Sequence, residues 1–204
     1  MGQTFFTLDL QEPALRRAQV TLRFDLETLQ RSATQGSQEV ELALAAWTPG
    51  SYLLREYSRH LNDFCVQDLD TTKWRKTSKN RFAIQIPPGM AELTVSYTVY
   101  CHELSVRTSD LTDQHAFLTG AELFLWPVGL GDTDVDVRVT VPDSWDLQTS
   151  LPTKRSGPSE FTLSATGIDD LIDSPILAGP LEVVSFSTHS KPHSFVLDGL
   201  EGIP

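Results

Sequence analysis

The stretch Val135-Asp-Val-Arg-Val-Thr-Val141 places valine at every second position and a polar residue at each position between. Successive side chains of a β-strand point to opposite faces of a sheet, so this pattern predicts a strand with one buried face and one wet face. The same alternation recurs along the chain, at residues 20–26, 40–46, 82–86 and 93–99. Shorter apolar runs predict further strands at 123–126, 161–163, 181–186 and 195–197.

Turn-forming residues separate these predicted strands, for example Gln35-Gly36-Ser37, Pro87-Pro88-Gly89 and Ser156-Gly157-Pro158. A helical turn is predicted only near 168–172, and Ser174-Pro175 ends it, because a residue before proline disfavours the helical conformation. Short strands between turns, with almost no helix, predict an all-β fold. We expect an antiparallel β-sandwich or a saddle-shaped pair of sheets.

The pattern of strands predicts one β domain over residues 1–197. The final residues, Asp198-Gly-Leu-Glu-Gly-Ile-Pro204, have the composition of a linker and not of a closing strand. Chains of this kind connect domains, so we expect residues 198–204 to lead towards a further domain.

The chain has 204 residues and a formal net charge of −11. This charge repels phosphate groups, so nucleic acid and anionic membrane surfaces are poor partners. No apolar run approaches the length of about 20 residues that a membrane-spanning helix needs, and no signal peptide is visible, which favours the cytoplasm. Cys65 and Cys101 are far apart in sequence, a spacing that predicts two buried free thiols.

The connection Trp47-Thr-Pro-Gly-Ser-Tyr-Leu-Leu-Arg-Glu-Tyr-Ser-Arg-His60 interrupts the alternation. Loops are usually small and polar, whereas this one carries aromatic and guanidinium side chains that are typical of docking surfaces. The connection therefore predicts a surface on which another molecule or domain docks. The alternative is a loop that folds back, so that Trp47 and Tyr52 close the end of a sandwich.

Patterns of metal ligands are incomplete. His102-Glu103 begins a zinc-peptidase motif, but Val106 stands where the second histidine is required. Aspartates at 132, 134 and 136 resemble the start of a calcium loop, but Val137 replaces the required glycine. We therefore predict neither a metal site nor a catalytic residue in this chain.

The segment from Tyr97 to Trp126 begins with a strand-like pattern that ends near Arg107. A polar loop with Asp110, Asp113 and His115 follows, and then a further predicted strand. One interpretation is a hairpin whose loop is ordered by pairing of Arg107 with Asp110 or Asp113. Such exposed pairs contribute only about 0.2–1 kcal/mol. The other interpretation is that this segment forms part of a functional site.

Three stretches together resemble a known family: WTPGSYLLREYSRH at 47–60, YTVYCHELSVRTSDLTDQHAFLTGAELFL at 97–125, and IDDLIDSPILAG at 168–179 with PHSFVL behind it. The chain resembles the N-terminal domain of the glycyl aminopeptidase family of zinc metallopeptidases, whose members often carry a PDZ domain. The resemblance extends from about Val20 to Leu197. The family's catalytic domain, with its His-Glu-x-x-His helix, would follow residue 204.

The resemblance implies a parent protein that removes N-terminal Gly or Ala with zinc, while this chain contributes no catalytic residue and binds no cofactor. It also implies that the domain lends an acidic group to the peptide substrate's ammonium. Glu122, Glu103 and Glu56 are the candidates, in that order, because Glu122 is expected to open a strand after a glycine turn. Arg107 and His115 are further candidates for contact with substrate.

We expect an interface with the catalytic domain on the 47–60 connection, formed by Trp47, Tyr52, Arg55, Tyr57, Arg59 and His60. Arginine and tyrosine suit such surfaces because they bury apolar area and still make hydrogen bonds. An isolated domain that exposes this surface could form a homodimer.

Two other functions fit the same residues. The chain could be a free-standing β-sandwich that binds a protein or peptide through the 47–60 connection. It could also be an immunoglobulin-like structural module without a ligand.

Overall fold

The computed structural model describes residues 4–29, 39–48, 50–70, 73–130 and 133–199. The strands of its first half are β1 (Thr4–Asp9), β2 (Arg17–Asp25), β3 (Glu39–Ala43), β4 (Leu61–Val66), β5 (Trp74–Ser78), β6 (Arg81–Gln85), β7 (Glu92–Tyr100), β8 (His102–Ser105) and β9 (Thr108–Leu111). Those of its second half are β10 (Ala116–Leu118), β11 (Trp126–Pro127), β12 (Val135–Thr140), β13 (Asp146–Thr149), β14 (Thr153–Arg155), β15 (Glu160–Ala165), β16 (Ile176–Gly179), β17 (Glu182–Thr188) and β18 (Lys191–Leu197).

The described residues also form two short α-helices, α1 (Gly120–Leu123) and α2 (Ile168–Asp173). Single 3₁₀ turns occupy Pro13–Leu15, Leu26–Thr28 and Tyr57–Arg59. Within the described ranges, no helix has both the length and the apolar character that crossing a bilayer requires.

The strands make three sheets and one separate hairpin. The large sheet has the order β14-β15-β12-β1-β2-β7-β4, the second sheet β13-β16-β10-β9-β8, and the third β11-β3-β6-β5, while β17 pairs only with β18. Neighbouring strands are antiparallel except for β1 and β12, which run parallel with Thr4 opposite Val135. The predicted all-β class with antiparallel sheets is therefore confirmed.

The alternating sequence produces the buried face of the large sheet. Val135, Val137 and Val139 have no exposed surface. Of the residues between them, Asp136 is half-buried and Arg138 is exposed. The buried valines face the same hydrophobic cluster as Phe6 and Leu8 of the neighbouring strand β1. Burial of apolar surface stabilises the fold by about 25 cal/mol per Å², so this face contributes to the stability of the domain.

One cluster of buried side chains extends from Phe6 to Ala178 and joins the three sheets. Within it, the ring of Phe6 meets the ring of Phe124 edge to face, with 5.0 Å between the ring centroids. Phe124 follows α1 directly, so this contact ties the short helix to the large sheet.

Helix α1 lies against α2 at a very short distance, and this approach depends on Gly120. A Cβ atom at position 120 would lie 2.4 Å from the carbonyl oxygen of Leu171 and 2.8 Å from the Cα atom of Ile172. Both are backbone atoms, so a side chain at this position cannot be accommodated by a rotamer change.

The prediction of a strand at 123–126 is wrong. Leu123 ends α1, and only Trp126 and Pro127 pair with a strand, opposite Ala43 and Leu42 of β3. The apolar run is explained by burial on all sides, because Leu123, Phe124 and Leu125 are all fully buried. A helical turn near 168–172 is confirmed as α2.

Both cysteines are free, but the prediction that both are buried is wrong for Cys65, which is exposed on β4. Cys101 is buried, and this burial raises the pKa of its thiol, with a smaller contribution from the charge of Glu122. The predicted turn at 35–37, residue 49 of the 47–60 connection and residues 200–204 of the predicted linker lie outside the described residues.

The replacement Gly120→Ala should destabilise the domain, because the new methyl group would overlap the backbone of α2. Overpacking of this kind costs about 1–3 kcal/mol. For a chain of this size we expect a fall in Tm of roughly 2–12 °C in a thermal unfolding experiment.

The matched control for this substitution is Gly167→Ala, which lies directly before α2 and has no heavy atom within 4 Å of the added Cβ. We expect the control to change Tm by no more than about 2 °C. Equal stability of the two variants would contradict the close approach of α1 and α2.

Candidate functional site

The carboxylate of Glu122 is buried where three chain segments meet. Glu122 is only 1 % exposed and lies in α1. Its Oε2 atom accepts a hydrogen bond of 2.5 Å from the backbone N–H of Ser109 in β9, and its Oε1 atom is bonded to Nδ1 of His60. A buried carboxylate is stable only when donors satisfy it, so this group fixes β9 and residue 60 relative to α1.

His60 is oriented by its neighbours. Its Nε2 atom accepts a hydrogen bond of 2.9 Å from Nε of Arg59, so the ring proton belongs on Nδ1 and points to Glu122. The ring of His60 also meets that of His102 edge to face at 5.0 Å, and His102 stacks on Tyr100 at 4.7 Å. These three stacked or edge-to-face rings extend from the buried carboxylate of Glu122 to the exposed surface of β8.

Two tyrosines hold the segments around Glu122. The hydroxyl group of Tyr97 donates to the carbonyl of Leu123 at 2.8 Å and accepts from the N–H of Leu125 at 3.0 Å, which fixes the end of α1. The hydroxyl group of Tyr57 donates to the carbonyl of Arg107 at 2.9 Å. Burial raises the pKa of Tyr57, an effect that a hydrogen bond with Thr48 opposes and the charge of Glu122 strengthens, so the phenol stays protonated as a donor.

A cleft of about 550 Å³ opens beside this buried group. Its polar wall consists of Thr48, Tyr57, Arg107, Thr119 and Asp173. Its apolar wall consists of Val106, Phe117, Ala121, Ile172 and Pro175, with Gly50 and Gly120 completing the surface. Pockets of this size, mostly apolar with a few polar groups, are typical of sites for small ligands or short peptide segments.

The residues that line the cleft come from three separate stretches of sequence, 47–60, 97–125 and 168–179. These are the three stretches on which the family resemblance depends. The fold brings them together because Glu122 binds the first two to each other and Gly120 lets α2 of the third approach α1.

Two residues of the polar wall carry opposite charges. Arg107 lies in the turn between β8 and β9, and Asp173 ends α2. In the part of the chain that the structure describes, neither side chain has an ion-pair partner within 4.0 Å. Such a site can receive a ligand that carries an ammonium group and an electron-rich group, as a peptide does.

The segments that line the cleft also expose large apolar side chains. Tyr52, Leu53 and Leu54 are 101 %, 62 % and 78 % exposed, and Leu104 and Val106 are 63 % and 79 % exposed. We call these five residues the rim residues. Their exposure marks a surface that suits contact with another protein or domain.

The structure brings together four of the predicted site residues, Tyr57, His60, Arg107 and Glu122. Glu122 does not open a strand after a glycine turn, as the sequence had suggested, but lies inside α1 with both carboxylate oxygens occupied. Its contact with substrate stays a prediction.

Other predicted substrate residues lie away from the cleft lining. Glu56 is exposed and pairs with Lys79, whose hydrogen bond lowers the pKa of that carboxyl group. Glu103 is exposed on β8. His115 lies between two carboxylates, with Nε2 at 3.2 Å from Asp110 and Nδ1 at 3.1 Å from Asp198. Asp110 also pairs with Arg16, at 3.0 Å, and not with Arg107 as the hairpin interpretation had it.

The predicted interface residues divide into two groups. Tyr52 and Arg59 are exposed, and Trp47 is half-exposed with its indole N–H directed to the carbonyl of Ser51. Tyr57 and His60 are buried parts of the support beneath the cleft, and the Nε atom of Arg55 is buried without a hydrogen-bond partner among the described residues.

Sequence reasoning missed Ser109, Thr119 and Asp173. Ser109 acts through its backbone N–H and through its hydroxyl group, which accepts from the N–H of Thr119 at 3.0 Å. A backbone donor leaves no signal in the sequence. Asp173 stood in the quoted stretch at 168–179, but nothing in that stretch distinguishes it from Asp169 and Asp170.

Within the described ranges, no three His, Cys, Asp or Glu side chains are grouped so that they could hold a metal ion.

The replacement Glu122→Gln should destabilise the domain. A neutral amide offers only one acceptor oxygen, so its NH₂ group would face either the N–H of Ser109 or the Nδ1–H of His60. An unsatisfied buried group of this kind costs about 1–3 kcal/mol, which urea denaturation can measure.

Glu103→Gln is the control, because it removes an equal charge from an exposed position. We expect its effect to remain within about 0.5 kcal/mol. If both variants unfold at the same urea concentration, the buried carboxylate does not hold the three segments together.

A solved structure that resembles this chain closely contains further residues beyond the matched domain. The crystal structure of an aminopeptidase N family protein from Idiomarina loihiensis matches 97 % of this chain with a TM-score of 0.83 and 28 % identity. The chain spans only 32 % of that protein's length. An M1 zinc metallopeptidase from Deinococcus radiodurans matches 95 % of the chain and 46 % of its own length, at a TM-score of 0.49 and 13 % identity, which is too distant to support an argument.

No curated protein sequence matches the chain. A family model does match it over residues 6–180, and this model describes the N-terminal domain of M61 peptidases. The match includes all residues that line the cleft. The chain therefore belongs to the peptidase M61 N-terminal domain family.

Proposed function

We propose that this chain is the non-catalytic N-terminal domain of a zinc aminopeptidase that removes N-terminal Gly or Ala from peptides. In this proposal the domain docks on a catalytic domain and supplies one wall of the substrate cleft. The single observation that carries the proposal is the cleft of about 550 Å³, because the three stretches that resemble glycyl aminopeptidases supply all of its lining.

The zinc ion belongs, in this proposal, to the catalytic domain. The described residues offer no group of three ligands that fits such an ion, so no step of the reaction is assigned to a metal on this chain. A peptidase zinc ion polarises the scissile carbonyl and activates water when it is bound. This chain's residues would bind and orient the peptide.

Asp173 is the carboxylate best suited to receive the ammonium group of the substrate. It lines the cleft and has no ion-pair partner in the described part of the chain, whereas both oxygens of Glu122 already accept hydrogen bonds. Arg107, which also lines the cleft, can donate to a carbonyl of the peptide backbone. Glu122 then acts as a positioning residue that holds the wall in place.

The rim residues support docking on the catalytic domain. Exposed apolar side chains such as Leu54 and Val106 are costly in water, and they adjoin segments that line the cleft. A domain that covers them would remove this apolar surface from water and close the cleft on its open side.

To test docking, Leu54→Asp and Leu104→Asp should be made in the longer protein that includes the catalytic domain, because neither residue lines the cleft. A charge in the interface should separate the domains and lower kcat/KM for glycine and alanine p-nitroanilides at least tenfold, which corresponds to about 1.4 kcal/mol. Limited proteolysis should then cut the 47–60 connection faster.

The control for docking is Leu15→Asp, which adds the same charge to a side chain that is 57 % exposed, in the 3₁₀ turn Pro13–Leu15 and away from the cleft lining. We expect wild-type activity for this variant. A loss of activity as large as that of Leu104→Asp would count against a specific interface at the rim residues.

To test substrate contact, Asp173→Asn should be compared with Asp169→Asn on the same helix, which does not line the cleft. A lost charge-assisted hydrogen bond costs about 1.5–3 kcal/mol, so Asp173→Asn should raise KM for glycine p-nitroanilide by roughly 10- to 100-fold. Asp169→Asn should leave KM unchanged. Unchanged KM in both variants would remove Asp173 from the ammonium site.

A peptide-binding module without a catalytic partner is the second candidate, because this chain's own residues already form a cleft of about 550 Å³. Calorimetric titration of the 204-residue chain with Gly-Gly-Gly distinguishes the two functions. Tight binding by the chain alone favours the module, and binding only by the longer protein favours the peptidase domain.

A further inference from the structure

The hairpin of β17 and β18 projects from the domain without a broad packing partner among the described residues. All residues of β17 are exposed, and in β18 only Val196 and Leu197 are half-buried. The two strands pair with each other alone, from Glu182 opposite Leu197 to Thr188 opposite Lys191. An isolated two-stranded hairpin is at best marginally stable in water.

The register gives the hairpin two different faces. One face carries Val184 opposite Phe195 and Phe186 opposite His193, and we call it the aromatic face. Phe186 stacks on Phe195 at 5.4 Å and on His193 at 5.2 Å, yet Phe195 is still 62 % exposed. The opposite face has no aromatic ring. It carries Val183 opposite Val196 and the serine pair Ser185 and Ser194, whose hydroxyl oxygens lie 3.2 Å apart.

The tip of the hairpin adds a cost. His189 and Ser190 have φ angles of +49° and +60°, the left-handed region that a two-residue turn of type I′ requires. Asparagine and glycine are the residues that adopt it with least strain, and neither is present. Such conformations persist when surrounding contacts hold them, so the hairpin needs a stabilising contact on its surface.

The base of the hairpin is fixed to the domain. Asp198, which follows β18 directly, lies 3.1 Å from Nδ1 of His115, and Nε2 of the same ring lies 3.2 Å from Asp110. Asp110 also pairs with Arg16, which directly precedes β2. The aromatic face is therefore presented from an anchored base.

We infer that the β17–β18 hairpin is a docking element, and that its aromatic face packs against the catalytic domain that follows this chain in the longer protein. The inference rests on the proposed function for the identity of that partner. The family match covers residues 6–180 and so leaves the hairpin outside the matched N-terminal domain, next in sequence to whatever follows it.

Two observations favour this occupant over a second copy of the chain. The relative from Idiomarina loihiensis, of which this chain spans 32 %, contains enough further chain for another large domain. A second copy would bring together two molecules that each carry a formal net charge of −11, which repel one another.

Hydrogen exchange of the hairpin amides, followed by mass spectrometry, tests the inference in the 204-residue chain and in the longer protein. We expect exchange in residues 182–197 to be about 100-fold slower in the longer protein, because docking suppresses local opening. Exchange at equal rates in both proteins would overturn the inference. Protection in the 204-residue chain that rises with its concentration would also overturn it, in favour of a homodimer.

Phe195→Glu and Ser194→Glu in the longer protein form a matched pair, since they place the same charge on opposite faces of β18. Phe195→Glu should accelerate hairpin exchange at least tenfold, and Ser194→Glu should not. Exchange of the β12 amides in the same samples reports whether each variant is folded. Equal effects of the two variants would overturn the assignment of the aromatic face.

The peptidase assay separates this inference from the proposed function. A longer protein with aminopeptidase activity and an unprotected hairpin would refute the docking element alone. A protected hairpin in a protein without peptidase activity would refute the proposed function and retain the docking element.

Discussion

The negative charge of Glu122, held out of water between α1, β9 and residue 60, is the interaction on which the arrangement of the cleft depends. Each oxygen of the carboxylate accepts from a different segment, Ser109 on one side and His60 on the other. Removal of a carboxylate from water is costly unless hydrogen-bond donors compensate for it. If either segment moved away, the carboxylate would lose a donor and the domain would lose stability. The segments that carry Tyr57 and Arg107 are thereby kept in one relative position, and with them two walls of the cleft.

Four strands of the large sheet were predictable because each of them faces two environments. β2, β7, β12 and β15 bury one face and wet the other, and the sequence records this difference as alternation. β5 was not predicted, because most of its residues are exposed and no buried face imposes a period of two. α1 was mistaken for part of a strand because its burial on all sides removes any periodic signal.

The sequence indicated which region of the chain is functional, but not the role of each residue in it. The aromatic and basic content of the 47–60 connection indicated the correct part of the molecule, and Tyr57, His60, Arg107 and Glu122 do meet there. The sequence did not show which of these residues are buried beneath the cleft and which are exposed at its surface. That difference depends on contacts between residues as far apart in sequence as His60 and Glu122. Asp173 reaches the cleft only because Gly120 lacks a side chain, a relation between two distant positions that no local pattern contains.

The parallel pair of β1 and β12 has a consequence for how the chain assembles on the ribosome. β1 lies between β2, its neighbour in sequence, and β12, which is synthesised more than a hundred residues later. One edge of β1 therefore stays unpaired until β12 is synthesised, and pairings between distant segments form slowly. Until Val135–Thr140 is synthesised, the nascent domain has an unpaired strand edge that can pair with other chains. A chaperone that binds this edge would prevent such aggregation.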